Sequence, residues 1–249
     1  LALANVLALQ TSVLALATAD AGTVAFTVPG SNTYTLKGLS GSRALDIGGN
    51  ALSLGGTATT SSYSGDLSGT GGSLTKTGTG TLTLSGTSSY SGGTTIEADG
   101  GILVAGSATA FGTGTVSVNG TNATPSMLDV NGQTLANDIT IQFKNTGDLS
   151  DTGVLKNTNT ATAAVLNGAL SIGGENYVGG DGDITINGIV AGGTTSYSFF
   201  KQGAGTWTFA NEANTFDGLY YQVGGVTEVT KLANAGQTSS LGQVSAGQN

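Results

Sequence analysis

The sequence has 249 residues, with 43 Gly, 2 Pro, 1 Trp, no Cys and no His, and a formal charge of −8 from 7 basic and 15 acidic groups. Without His and Cys there is no Ser-His-Asp or Cys-His nucleophile pair, no thiolate or imidazole zinc site and no disulfide framework. The sequence pI near 4.1 excludes a nucleic-acid partner, because neutralising phosphates takes clusters of Lys and Arg.

Residues 1–21 (LALANVLALQTSVLALATADA) stand apart, with no Gly and one acidic group, Asp20. Leu3, Leu7 and Leu14, with Val6 and Val13, fall near helical spacing and suit an amphipathic helix capping a sheet structure. Leu1, Leu3, Leu7 and Leu9 also fit a strand, including one exchanged into a neighbouring molecule. A third reading is the tail of a signal peptide, although no basic region precedes it. No uninterrupted apolar run of about 20 residues exists, so no segment is expected to span a bilayer as a helix.

From Gly22 onward, short runs alternate apolar and polar residues, as in Thr81-Leu82-Thr83-Leu84, Asp183-Ile184-Thr185-Ile186 and Thr206-Trp207-Thr208-Phe209. This is the pattern of strands with one buried face. Between them lie turn signals such as Gly48-Gly49-Asn50, Asn131-Gly132 and Asn187-Gly188. Only 9% of residues are charged, against roughly a quarter in ordinary globular domains. The surface must therefore be built from Thr, Ser, Asn and Gly.

An internal repeat chooses among sandwich, barrel and solenoid. Ser73 to Leu84 aligns with Ser198 to Phe209, Lys76 falling on Lys201 at an offset of 125 positions. Ala44 to Gly49 falls on Ala169 to Gly174 at the same offset, and after one inserted residue Tyr90-Ser91-Gly92 falls on Phe216-Asp217-Gly218. So long a period holds several strand-turn units, as in a parallel β-helix whose coils pair with the coils above and below.

The stretches Gly72 to Gly86, Tyr90 to Ile96 and Gly101 to Val104 resemble the autotransporter-associated β-strand repeat, also called the passenger-associated transport repeat. The copies run over about 73–104 and 198–229, and the second diverges at Gln202, Asn211-Glu212 and Tyr220-Tyr221. The resemblance covers most of residues 40 to 245. It implies an all-β, right-handed parallel β-helix over 22–249, with residues 1–21 as a cap or inter-subunit segment. It also implies a bacterial surface or secreted protein, acting as a passenger stalk that assists export and presents functional modules. The chain lacks a C-terminal set of amphipathic strands, so it is expected to carry no translocator barrel of its own.

No catalytic, cofactor-binding or metal-binding residue is assigned, and no cofactor is expected. Asp148 with Asp151, and Asp181 with Asp183, are the carboxylate pairs open to glycosidase-like chemistry, and both read better as turns. Gly179 to Ile184 partly matches a calcium-binding nonapeptide, but Ile184 stands where that pattern places Asp. Arg43 reads as a surface residue. Tyr197, Trp207, Phe216, Tyr220 and Tyr221 are the candidates for stacking on a surface glycan. Alternation turns Trp207 and Phe209 inward and leaves one of Tyr220 and Tyr221 exposed. Lys76 and Lys201 read as exposed strand-end lysines that discourage edge pairing. Gly236 to Asn249 carries no strong cap signal. The expected role is a non-catalytic rod, either stalk or fibre subunit, associating end to end through residues 1–21, with a glycan- or host-binding adhesin as the alternative.

Overall fold

In a computed structural model of the chain, the described residues are 1–55, 60–120, 126–142, 153–192, 198–232 and 237–242. They contain no helix, and every multi-residue strand pairing among them is parallel. The strands stack as a β-solenoid of about nine turns. At about 4.8 Å per coil the stack is roughly 40–45 Å long. Partner offsets range from 18 residues, Leu36 to Leu54, up to 31, Ile141 to Ile172. Coil length is thus set by the loops while the strands hold register.

Each coil visits three sides. On the first side a buried ladder runs Leu54, Lys76, Ile96, Val118, Ile141 and Ile172. On the second, Leu82, Leu103, Leu128, Leu155, Val178 and Lys201 stack in the same way. On the third, Leu135, Leu166, Ile186 and Phe209 do so. Strands such as Thr81–Leu84 and Thr206–Phe209 alternate half-buried and buried residues, because successive side chains point to opposite faces of a strand. A one-residue slip would turn Leu or Ile outward on every coil above, so the interior fixes the register.

The residues at 1–21 form strands, not a helix. Ala2–Leu3 pairs with Ala25–Phe26, and Leu9–Leu16 pairs with Thr33–Gly41 of its own chain. Leu14 and Leu16 are buried on that strand and extend the ladder by a coil. The leucines are spaced for either structure, and the open edge of Thr33–Gly41 supplies backbone partners that a helix would leave unused.

The corners use glycine where the chain must turn back on itself. At Asn131-Gly132 both residues have positive φ, 44° and 72°, as the Asn-Gly signal implies. Carboxylates act at the corners as well. Asp66, Asp138, Asp181 and Asp183 each accept a backbone N–H from the next coil, at Thr87, Ala169, Ala204 and Thr206 respectively. Much of the sparse charge of this chain is spent on joining coils.

Candidate functional surface

The residues on which a site was expected are mostly interior or structural. Lys76 and Lys201 are buried, at 2% and 0% exposure, which overturns the expectation of solvent-facing lysines. The reason is parity. In Ser73-Leu74-Thr75-Lys76 the lysine shares the inward phase of Leu74, and Lys201 shares that of Phe199. Each ammonium is then satisfied by backbone. Lys76 Nζ donates to the carbonyls of Thr77 at 2.7 Å, Gly78 at 2.8 Å and, one coil later, Gly100 at 2.8 Å. Lys201 Nζ donates to the carbonyls of Gln202 at 3.3 Å, Gly203 at 3.1 Å, Gly205, and Gly224 one coil later at 3.1 Å. A Cβ on Gly225 would overlap that ammonium, so the cage needs glycine at its wall. Burial lowers the Lys76 pKa from 10.5 to about 8 and also lowers that of Lys201, where nearby Asp183 and Asp181 oppose the shift.

The aromatic residues divide by parity in the same way. Inside, Trp207, Phe209 and Phe216 are buried as alternation required, and Phe199 packs edge-on to all three at ring separations of 5.9, 5.9 and 6.0 Å. Tyr220 closes the cluster, stacking on Phe199 at 5.6 Å and sharing a hydrogen bond with Thr227. Burial raises its pKa to about 12. Outside, Tyr177, Phe200 and Tyr221 form a ladder across three coils. Its ring separations are 4.5 and 4.6 Å and its interplanar angles 12° and 6°. Tyr221, at 43% exposure, is the exposed member of the Tyr220-Tyr221 pair. Tyr177 and Phe200 were missed in the sequence because the coil offsets linking them to Tyr221, 23 and then 21 residues, appear only in the strand register.

This ladder bears on glycan binding. A sugar stacks on the face of a ring, yet both faces of Phe200 are covered by its neighbours, and only the far face of Tyr221 is open. The remaining candidates offer no constellation. Asp181 and Asp183 face solvent with one oxygen each on a backbone N–H. Arg43 is half-buried and donates to the carbonyls of Asp20 and Gly22, tying the first coil to the third. Asp148, Asp151 and Tyr197 lie outside the described residues. Among the described residues no group of three or more acidic side chains is placed to hold a metal ion, and no helix is long and apolar enough to cross a membrane.

The C-terminal end is partly covered, against the expectation of no cap. Ser239 bridges Asn214 in the antiparallel sense, and Asn214 Nδ2 donates to the Ser240 carbonyl at 2.8 Å. Ser240 is fully buried, with its hydroxyl 2.8 Å from that of Thr230. Short polar residues make this cap through backbone and hydroxyl bonds, which leave no hydrophobic signature in the sequence.

Comparison with known proteins agrees with this architecture. Residues 74–105 and 199–230 match the family described as the passenger-associated-transport-repeat. Over 169 residues, 68% of this chain, the sequence is 34% identical to the adhesin BmaC autotransporter of Brucella suis biovar 1 (strain 1330). The chain spans about 4% of the length of that relative. No solved structure matches the chain.

Proposed function

Because this chain is a passenger-associated-transport-repeat protein of the autotransporter type, we propose that it serves as a non-catalytic rod in a bacterial cell-surface or extracellular passenger. The observation that carries this reading is the use of the chain's polar groups for holding coils together. Both repeat lysines cage corner carbonyls, and four aspartates cap N–H groups of the next coil. Groups that could recognise or transform a ligand are thereby engaged. Residues 1–21 and 22–249 act in this reading as terminal contact segment and rod body.

A second reading, an adhesive surface, draws on the relative's description as an adhesin and on the exposed apolar side chains Leu219, Tyr221 and Val223. The two separate by substitution of the segment. In a surface-displayed passenger containing this chain, replacing it with an unrelated β-solenoid of equal coil number should preserve host-cell attachment if it is a spacer. Loss of attachment, restored by this chain but not by its Tyr221→Ser, Leu219→Ser double variant, would overturn the rod reading and support the adhesive one.

A further inference from the structure

Eight of the nine large hydrophobic side chains exposed among the described residues lie within residues 1–13 or 219–232, Ile189 being the exception. Exposed apolar surface is thus concentrated at the two ends of the stack. At the C-terminal end, Leu219–Gln222 pairs only with Ser198–Lys201, and Val226–Val229 only with Thr206–Phe209. At the other end, Leu9–Leu16 pairs only with Thr33–Gly41. Each end therefore presents strand edges whose outer sides carry no ladder among the described residues.

The register makes the two ends complementary. Followed coil by coil, the outward position of Val13 on the second side passes through Gly38, Thr81, Ile102 and Met127 to Phe200 and Tyr221. A second copy stacked in phase places Val13, 41% exposed, on the open face of Tyr221, 43% exposed. It also brings Leu14 over Gln222 in the inward ladder. One obstacle stands on the first side, where Leu9 of the incoming copy would sit. That place is occupied by Ser239–Gly242, held across Asn214 by an antiparallel bridge in a structure whose ladders are otherwise parallel. Leu241 and Gly242 close over Phe216 and Tyr220.

We propose that the last coil is the docking surface for the first coil of a second copy of this chain, and that Ser239–Gly242 is a displaceable cap that holds this surface closed. The cap blocks the first side while leaving the edges of the second and third sides open, so docking completes only once it has left. The proposal rests on the end-to-end reading of the rod and adds the contact and its gate.

The chain has no Cys, so engineered thiols pair only with each other. In-register residues of adjacent parallel coils fall within the Cα separation that a disulfide spans, about 4.4–6.8 Å. Val13→Cys and Tyr221→Cys are made in separate chains, mixed and oxidised, with native Gly242 and again with Gly242→Ala. Gly242 has φ +88°, and a Cβ there would overlap the Phe216 carbonyl, so the substitution expels the cap without touching a ladder. Leu241→Lys is a second way to expel it, and hydrogen exchange at the Gly242 amide reports its release. Several-fold more mixed disulfide with the cap released supports the proposal. Equal yield with the cap closed or released overturns the gate but leaves end-to-end contact standing. No mixed disulfide in either background, with unchanged β-sheet circular dichroism, overturns both.

Discussion

Replacing Lys76 by Met removes the donor from three carbonyls at once while keeping the length and volume of an unbranched side chain. The oxygens of Thr77, Gly78 and Gly100 lie at 2.7 to 2.8 Å from Nζ, and the side chain is 2% exposed, so water does not replace the lost donor. A buried acceptor left unpaired costs about 1–3 kcal/mol. Against this stands the relief of burying a charge, which the lowered pKa of about 8 sets at about 3 kcal/mol for a shift from 10.5. Three orphaned acceptors at a middle value exceed that relief, and Lys76→Met should destabilise the chain by about 2–3 kcal/mol near pH 7. The midpoint of urea unfolding should fall, and the amide of Gly100, donated to Glu97, should lose protection from hydrogen exchange. A variant as stable as the parent would refute the reasoning. It would mean that desolvation of the ammonium outweighs everything the cage returns.

The same lysine gives stability a pH dependence. Between about pH 8 and 10.5 the unfolded chain holds a proton that folded Lys76 has lost, so stability should rise with pH across that window and should not do so in Lys76→Met. Above pH 10 the sign reverses, because Tyr63 and Tyr220 ionise near 12 when folded and near 10 when unfolded; urea midpoints from pH 7 to 11 would reveal a maximum, and a monotonic fall from pH 8 would contradict the lysine assignment. Trp207 is the sole Trp and fully buried, so its emission should be blue-shifted, resist acrylamide and move red on unfolding. Its Nε1 has no hydrogen-bond partner, so Trp207→Phe should cost under about 1.5 kcal/mol, against about 3–5 for Trp207→Ala; near-equal losses in chemical denaturation would show that the indole N–H is satisfied. Asp183→Ala strips the acceptor from the Thr206 N–H at a solvent-facing corner and should cost about 1 kcal/mol by urea unfolding, with no measurable change if that bond is dispensable.

Alternation located the strands well. Thr81–Leu84 and Thr206–Phe209 lie where they were read, and Asp183 to Ile186 contains Ile184–Ile186. The inward phase of Trp207 and Phe209 followed from it too. The same alternation held the answer for Lys76 and Lys201, but charge was weighed above parity. An isolated buried ammonium is costly, and what makes it tolerable here is a set of corner carbonyls that no local sequence window reveals. The outer aromatic ladder and the antiparallel cap were illegible for related reasons. The first depends on which residues meet across coils of unequal length, and the second on hydroxyl and amide bonds made by Ser239, Ser240 and Asn214.

The repeat itself shows most clearly what the sequence could and could not carry. Equivalent strands of the two copies occupy different sides of the solenoid. Ser73–Lys76 lies on the first side and Ser198–Lys201 on the second, while Thr81–Leu84 lies on the second and Thr206–Phe209 on the third. Tyr90 and Phe216 follow the same rotation, from the third side round to the first. The offset of 125 residues is therefore not a whole number of coils. This is tolerable because each copy closes on itself. In the first, Ser73–Lys76 pairs with Thr94–Ile96 and Thr81–Leu84 with Gly101–Ala105; in the second, Ser198–Lys201 pairs with Leu219–Gln222 and Thr206–Phe209 with Val226–Val229. The lysine then ties each copy's first corner to its own next coil, at Gly100 or Gly224. Both ladders and the lysine staple are internal to about 32 residues, so a copy carries its geometry wherever the loops deliver it. A neighbour above or below needs only to offer inward apolar side chains in phase, and any of the three sides does so. A rod built this way accepts loop insertions, as between Ile141 and Ile172, without losing its interior, and its repeats act as locally closed splints within a continuous stack.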